Sequence, residues 1–117
     1  MLYLCSMKEQ WKQLKQNPNY FISNLGNIKG KYGLIRQNIN HQGYYYCNIC
    51  TNSVVSKVKI HRLVAIYFVV NPYDKETVNY IDENKLNNDY LNLEWLTRRE
   101  NVQHYYNNRR LRLQSKT

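Results

Sequence analysis

At 117 residues, the chain is predicted to form one domain or two closely packed subdomains rather than two independent domains. Its 17 Lys and Arg residues outnumber 8 Asp and Glu residues and give a net charge of +9, an excess that attracts polyanions and indicates nucleic acid as the partner. The longest apolar run, at residues 63–70, is far shorter than the roughly 20 residues that cross a bilayer, which excludes a membrane-spanning protein.

The N-terminal segment and the cysteines indicate a reducing, cytoplasmic location. Residues 1–6 are apolar but too short for the core of a signal peptide. Cys5, Cys47 and Cys50 form an odd set without a disulfide framework. The spacing of Cys47 and Cys50 invites a zinc site, but a strand places residues three apart on opposite faces, and no second ligand pair accompanies them. We therefore predict two ordinary, partly buried thiols.

The first half of the chain has the pattern of a β-meander. Short β-favouring segments alternate with turns rich in Gly, Asn and Ser up to residue 38. Two longer strands are predicted at residues 43–50 and 54–60, joined by a polar turn.

A short buried helix is predicted over residues 61–70, where the apolar pattern changes to helical spacing. Four apolar residues are expected to share its buried face: Leu63, Ile66, Tyr67 and Val70. The Asn-Pro pair at residues 71–72 should stop this helix, because the residue before a proline is disfavoured in the α region.

The C-terminal part has the pattern strand, long loop, strand, helix. The strands are expected at residues 78–81 and 93–96, on either side of a loop rich in Asp and Asn. Thr97 and Glu100 form a capping box, so a helix should begin directly after Thr97 and run to roughly Arg109, followed by a basic tail.

These elements predict an α+β fold in two parts. Residues 1–58 are expected to form a small N-terminal β module, a meander. Residues 59–117 are expected to hold the short buried helix, a ββα-metal unit and the basic tail. In a ββα-metal unit, one strand supplies a base and the following helix supplies a metal ligand.

Three segments carry a family resemblance. His61-Arg-Leu-Val-Ala65 precedes Val78-Asn-Tyr-Ile-Asp82, and Asn92-Leu-Glu-Trp95 follows. In this order they resemble the HNH homing-endonuclease family, and the segment from Trp11 to Lys29 resembles the small β module that often precedes such nuclease domains. The resemblance implies a protein of phage or mobile-element type in a bacterial or phage-infected cell.

The resemblance also implies roles for four positions. Asn79 falls on the family's first metal ligand, and Asn101 falls on the ligand carried by the helix. Tyr80 falls on the general-base histidine, and Asn92 falls on the asparagine that pins the loop. The implied reaction is hydrolysis of a DNA phosphodiester bond with Mg²⁺ or Mn²⁺.

Tyr80 predicts weak or absent cleavage. A base that works near pH 7 needs a pKa near 7, whereas a phenol has a pKa of about 10. Loss of a general base typically costs roughly 10²–10⁴-fold in rate. The amides of Asn79 and Asn101 are neutral, and only Asp82 or Glu100 can add charge nearby. Metal binding is therefore expected to be weak and to need the DNA phosphate.

Double-stranded DNA is the expected ligand, and basic side chains are the expected contacts. Those at the start of the last helix are the strongest candidates, because a cation there opposes the helix dipole unless a phosphate compensates it. The tyrosines at 44–46 and 105–106 are candidates either for base stacking or for ordinary packing. The basic candidates are Arg98, Arg99, Arg62, Lys29, Lys31, Lys57, Lys59, Arg109, Arg110 and Arg112.

The histidines are not predicted to be catalytic. His61 lies at a strand-to-helix junction, where it is expected to cap or orient the helix, with a phosphate contact as the alternative. His41 lies in a predicted turn and His104 on an exposed helix face.

Three functions remain in competition. The first is a metal-dependent nicking endonuclease with residual activity. The second is an inactive, nuclease-derived protein that regulates or inhibits another nucleic-acid or defence machine and so binds a protein or ribonucleoprotein. It is favoured by Tyr80, by the uncharged metal site and by the expected lack of a further C-terminal recognition module. The third makes Tyr80 a nucleophile that forms a phosphotyrosyl bond. The sequence favours a DNA-binding protein of this family with impaired cleavage.

Overall fold

The computed structural model describes residues 8–115, with the side chains of 108 and 110–115 left out. The fold is α+β, as predicted. The helices are α1 (Ile60–Phe68) and α2 (Arg98–Ser115), and a 3₁₀ turn spans Tyr90–Asn92. The strands are β1 (Trp11–Gln13), β2 (Phe21–Ser23), β3 (Ile28–Gly30), β4 (Gly33–Leu34), β5 (Asn38–Ile39), β6 (Tyr45–Thr51), β7 (Val54–Lys59), β8 (Thr77–Tyr80) and β9 (Leu93–Leu96).

The strands form three antiparallel sheets. The first is a four-stranded meander in the order β1-β2-β3-β4, the second has the order β5-β6-β7, and the third is the β8-β9 pair. A close approach joins the first sheet to the loop before β9: at Gly26, whose φ is +90°, an added Cβ would lie 2.7 Å from Cβ of Asn88. Glycine is required there by both the turn and the contact.

One hydrophobic core joins both predicted parts of the chain, with α1 packed against β2, β6, β7, β8 and β9. Residues of every sheet contribute, so the meander and the β8-β9 pair are held in a fixed relation through α1. The buried members are Leu14, Ile22, Ile28, Cys47, Ile49, Ile60, Leu63, Val64, Ala65, Val78, Tyr80 and Leu93.

The predicted buried face of α1 was right for Leu63 and for the half-buried Tyr67 and wrong for Ile66 and Val70. Ile66 is 57% exposed and Val70 is 83% exposed, whereas Ile60 and Val64 are fully buried. The helix also ends earlier than predicted, because Val69 is already extended, with its N–H bonded to the carbonyl of Ala65 at 3.0 Å. Val70 therefore lies beyond the helix, and the sheets on either side of α1 select a different stripe.

The capping box at the start of α2 is confirmed. The backbone N–H of Thr97 donates to Oε1 of Glu100 at 2.9 Å, and the N–H of Glu100 donates to Oγ1 of Thr97 at 3.1 Å. The predicted end of the helix was wrong: α2 continues past Arg109 to Ser115. Up to the final Ser115, the residues concerned are Arg, Leu and Gln, which are good helix formers, and no Gly or Pro interrupts them.

The two cysteines of β6 diverge, as predicted. Cys47 is buried and Cys50 is exposed, and burial raises the pKa of the Cys47 thiol to about 11. Within residues 8–115, no group of three or more His, Cys, Asp or Glu side chains is placed to hold a metal ion.

Neither helix of the described part of the chain is long and apolar enough to span a membrane. The more apolar of the two, α1, has nine residues.

Candidate functional site

The β8-β9 pair sorts the candidate residues onto two faces. Asn79 pairs with Glu94, and Tyr80 pairs with Leu93. Because side chains alternate along a strand, Tyr80 lies on the buried face with Leu93, while Asn79 and Glu94 lie on the opposite face. Asn101 of α2 is on that second side, since its Nδ2 lies 3.5 Å from Oγ1 of Thr77.

A cavity of about 350 Å³ brings Asn79, Tyr80 and Asn101 together. Its wall also includes Tyr44 and His104. The strand-loop-strand-helix unit therefore collects three of the four positions for which the family resemblance implied a role; the fourth, Asn92, is buried in the adjacent loop.

The amide groups in this cavity fit a divalent cation. Nδ2 of Asn79 donates to Oε1 of Glu94 at 2.9 Å, and Nδ2 of Asn101 faces Oγ1 of Thr77. Each contact uses an amide nitrogen and leaves the amide oxygen available, and the Glu94 carboxylate lies directly beside Asn79. Amide and carboxylate oxygens are among the ligands that divalent ions bind, although two neutral amides alone hold Mg²⁺ weakly.

The two carboxylates considered from the sequence are engaged in local structure. Asp82 accepts from the backbone N–H of Asn84 and from Nδ2 of Asn87 and of Asn92, each at 2.8 Å, and these bonds, led by that from Asn87, lower its pKa. Glu100 caps α2 and pairs with Lys75 at 2.9 Å. Glu94, which sequence reasoning missed, is the carboxylate bonded to Asn79.

Tyr80 points into the core. Its side chain is 5% exposed, and its hydroxyl donates to Oδ1 of Asn88 at 2.9 Å. Burial raises the pKa of this phenol above its ordinary value, and Tyr44 raises it further. Burial and the neighbouring Tyr44 thus both disfavour the phenolate, which either a general base or a nucleophile at this position would need.

Tyr80 belongs to an aromatic cluster with Tyr44 and His61. The ring centroids are 5.0 Å apart for Tyr44 and His61, 5.2 Å for His61 and Tyr80, and 6.1 Å for Tyr44 and Tyr80. Burial, and then Lys59 and Arg62, lower the pKa of His61 to about 4. Of the two roles predicted for His61, to cap or to orient the helix, capping was wrong: Lys59 occupies the N-cap, and His61 packs inside.

Asn92 holds the loop between β8 and β9. Its Oδ1 accepts from the backbone N–H of Asp82 at 2.9 Å, and its Nδ2 donates to Oδ1 of Asp82 at 2.8 Å and to the carbonyl of Asn87 at 3.0 Å. The side chain is buried and contacts the start and the middle of the loop, so its contacts position the loop rather than reach the cavity.

We expect Asn92→Ala to lower the free energy of unfolding by about 2 kcal/mol, because it leaves partners of a buried amide unsatisfied. Urea unfolding measures the change. Asn84→Ala is the matched control, since Asn84 is an exposed asparagine in the same loop whose Oδ1 accepts one bond, from the N–H of Leu86. Equal losses in the two variants would contradict the positioning role of Asn92.

Arg62 lies on the side of the β8-β9 pair that faces away from Asn79. Its guanidinium stands over the Trp95 ring at 5.7 Å and donates to the carbonyl of Glu76 at 3.1 Å. Trp95 alternates with Glu94 along β9, so Arg62 is on the side of the strand pair opposite Asn79. Arg98, Arg99 and Arg109, by contrast, are exposed on α2.

The lysine candidates lie on the N-terminal sheets. Lys29 stands over the Trp11 ring at 4.1 Å, and Lys31 lies 5.8 Å from the Tyr32 ring. On exposed positions of β7, Lys57 lies 5.3 Å from the Tyr46 ring and Lys59 lies 5.6 Å from the Tyr44 ring. The side chains of Arg110 and Arg112 lie outside the described residues.

Sequence reasoning missed Asn88, and its prediction that His104 lies on an exposed helix face was wrong, because His104 is half-buried. Asn88 is buried against Tyr80, a contact between residues eight apart in an irregular loop that no periodicity foretells. His104 lines the same cavity as Asn101. Here a signal was available, because residues three apart on a helix share a face.

The fold and this cavity define an HNH endonuclease domain: residues 58–103 match the family model described as HNH endonuclease, and residues 9–50 match the NUMOD4 motif. A solved structure that describes DNA binding and cleavage by the HNH homing endonuclease I-HmuI superposes on this chain with a TM-score of 0.79. The two sequences are 30% identical, and the match covers 85% of this chain and 59% of that one. The chain thus carries an HNH domain of the homing-endonuclease family.

Curated relatives agree with this assignment. An uncharacterised HNH endonuclease of Acanthamoeba polyphaga mimivirus is 38% identical over 87% of this chain and 32% of its own length. The DNA endonuclease I-HmuI of Bacillus phage SP01 is 31% identical over 80% of this chain and 56% of its own length. The chain spans about a third of the first of these relatives and about half of the second.

Proposed function

We propose that this chain binds double-stranded DNA and nicks it with a divalent metal, and that Tyr80 severely weakens the cleavage step. The net charge of +9, the match to the HNH family and the likeness to I-HmuI support DNA as the ligand. The core-facing Tyr80 hydroxyl, bonded to Asn88, is the single observation that supports weakened cleavage.

The proposed DNA-binding surface joins the exposed start of α2 to the lysines of the N-terminal sheets. Arg98 and Arg99 are exposed at the N-terminus of α2, where the helix dipole favours a phosphate, although the backbone N–H groups of Arg98 and Glu100 already donate to Glu76 and Thr97. Lys57 and Lys59 share one face of β7, because they are two residues apart. We propose that Arg109, Lys29 and Lys31 extend this surface, whereas Arg110 was a candidate whose side chain lies outside the described residues. Arg62 is not part of it, because its guanidinium stands over the Trp95 ring.

Within the cavity, we propose that Asn79 and Asn101 would hold the metal, Mg²⁺ or Mn²⁺, through their amide oxygens. The ion supplies positive charge that stabilises the phosphate and the leaving oxygen. Glu94 accepts from Nδ2 of Asn79 and so fixes which amide atom faces the cavity. Asn92 holds the loop that follows Asn79 and Tyr80.

The phenol of Tyr80 cannot remove the proton of the attacking water at neutral pH. A phenol that is buried, bonded to Asn88 and raised in pKa stays protonated. Water attack then proceeds without a positioned base, at a cost of roughly 10²–10⁴-fold.

Two measurements on the full chain test this proposal. We expect anisotropy titrations of a DNA duplex in EDTA to show binding that weakens steeply with salt, and incubation with supercoiled plasmid and Mg²⁺ or Mn²⁺ to show slow nicking. Arg98→Ala should reduce the slope of log affinity against log salt by about one. Lys15→Ala, which removes an exposed charge outside the proposed surface, should leave the slope unchanged. Absence of duplex binding would refute the DNA-binding proposal, and binding that is insensitive to salt would refute the proposed basic surface.

The same Tyr80 contact favours a second function, in which cleavage is lost altogether and the chain regulates or inhibits another nucleic-acid or defence machine through a protein or ribonucleoprotein partner. Plasmid nicking separates the two. Nicking by the wild-type chain that exceeds nicking by Asn79→Ala excludes the inactive form, whereas identical background rates favour it.

A further inference from the structure

We propose that His104 is an additional ligand of the metal site, and that its imidazole makes this chain select Mn²⁺ or Co²⁺ over Mg²⁺. The inference rests on the proposed function, because it concerns the same metal. It differs from the ligand set implied by the family resemblance, which comprises Asn79 and Asn101 alone.

The first step is the inward face of α2. Of the seven residues 101–107, only Asn101 and His104 are half-buried, and the other five are exposed. The two are three residues apart, so their Cβ atoms are roughly 5–6 Å from each other on one face of the helix. The helix therefore presents His104 to the side on which Asn101 meets β8.

The second step is the position of His104 between two adjoining cavities. It lines the cavity that contains Asn79 and Asn101, and it also lines a neighbouring one with Glu94 and Arg99. The hydrogen bond of 2.9 Å from Asn79 to Glu94 joins the two walls. His104 thus shares one cavity with the two amides, and it shares the adjoining cavity with the Glu94 carboxylate.

The third step is the chemistry of these donors. Mg²⁺ favours carboxylate, phosphate and water oxygens and holds its waters strongly, so two neutral amides bind it poorly. Imidazole nitrogen suits later divalent metals, whose affinity for nitrogen sites rises along the series from Mn²⁺ to Co²⁺ and beyond. Position 80 carries no imidazole, but His104 on α2 does, and there the imidazole binds the ion.

The test is calorimetric titration of the full chain, without DNA, with Mn²⁺, Co²⁺ and Mg²⁺ in turn. We expect Co²⁺ and Mn²⁺ to bind at least about tenfold more tightly than Mg²⁺, and His104→Ala to remove this preference. His41→Ala is the matched control, because His41 is exposed in the turn before β6, and it should bind as the wild type does. Wild-type affinity retained in His104→Ala, or equal affinities for Mg²⁺ and Co²⁺ in the wild type, would overturn the inference.

A second measurement needs no variant. Substoichiometric Mn²⁺ should broaden the imidazole NMR signals of His104 and leave those of His41 sharp, and signals of His104 that stay sharp would overturn the inference as well. Failure of the proposed function is detected separately, since DNA binding in EDTA contains no metal. A chain that binds DNA but shows no role for His104 refutes only this inference.

Discussion

Replacing Tyr80 with His should raise the rate of plasmid nicking by about 10²-fold or more, the largest effect expected of any single substitution in this chain. An imidazole has a pKa of about 6.5 and accepts a proton at neutral pH, whereas burial keeps the Tyr80 phenol protonated. The other components, Asn79 and Asn101, already line the same cavity. The gain is read as the initial rate of supercoiled plasmid loss in Mg²⁺ or Mn²⁺.

Tyr80→Phe is the control for this gain, because it also removes the phenol hydroxyl but supplies no base. It should leave the nicking rate at the wild-type level and lower stability, since Oδ1 of the buried Asn88 loses its donor. Adding Asn79→Ala to Tyr80→His should return the rate to background. If Tyr80→His nicks no faster than Tyr80→Phe while both bind DNA equally, the missing base is not the cause of weak cleavage.

Features set by neighbouring residues could be predicted from the sequence. The bounds of β9, the capping box of Thr97 and Glu100, and the divergence of Cys47 and Cys50 follow from interactions within a few residues of each other. Such local signals require no knowledge of what packs against the segment.

Features set by packing could not be predicted in the same way. The apolar residues of α1 allow several buried stripes, and the choice of Ile60 and Val64 over Ile66 depends on sheets that lie on either side of the helix. The pairing of Asn79 with Glu94 depends on a strand register closed across a long loop. The inward direction of the Tyr80 side chain depends on Asn88 and on the His61 ring.

The N-terminal sheet helps to position the site through its contacts with the loop before β9. The backbone N–H of Tyr90 donates to the carbonyl of Asn24 at 2.8 Å, and the turn at Gly26 packs directly on Asn88. Asn88 in turn accepts from Tyr80. The loop of the ββα unit is therefore shaped partly by the β module before it, so we propose the division at residues 58 and 59 as one of function rather than of independent folding.

As the pH falls, His61 should destabilise the folded protein at a higher pH than protonation of its carboxylates does. The pKa of His61 is about 4 in the folded chain, against an ordinary value of 6.5, so between these values the unfolded chain binds a proton that the folded chain rejects. Unfolding therefore becomes easier as the pH falls from about 6.5 to 4, by about 3 kcal/mol in total. Among the described residues, Nδ1 of His61 has no hydrogen-bond partner, which leaves its charged form without compensation.

Urea unfolding at pH 7 and pH 4.5, compared between the wild type and His61→Phe, isolates this effect. Phenylalanine keeps a ring between Tyr44 and Tyr80 but cannot bind a proton, so most of the acid-induced loss should disappear. Asp82 and Glu100 have lowered pKa values, and the stability they contribute is lost only at lower pH, as their folded-state carboxylates become protonated. His41→Ala, at an exposed position, should retain the wild-type loss. A His61→Phe chain that loses as much stability as the wild type over this range would show that the imidazole is protonated without cost, and hence that the aromatic cluster does not exclude its charge.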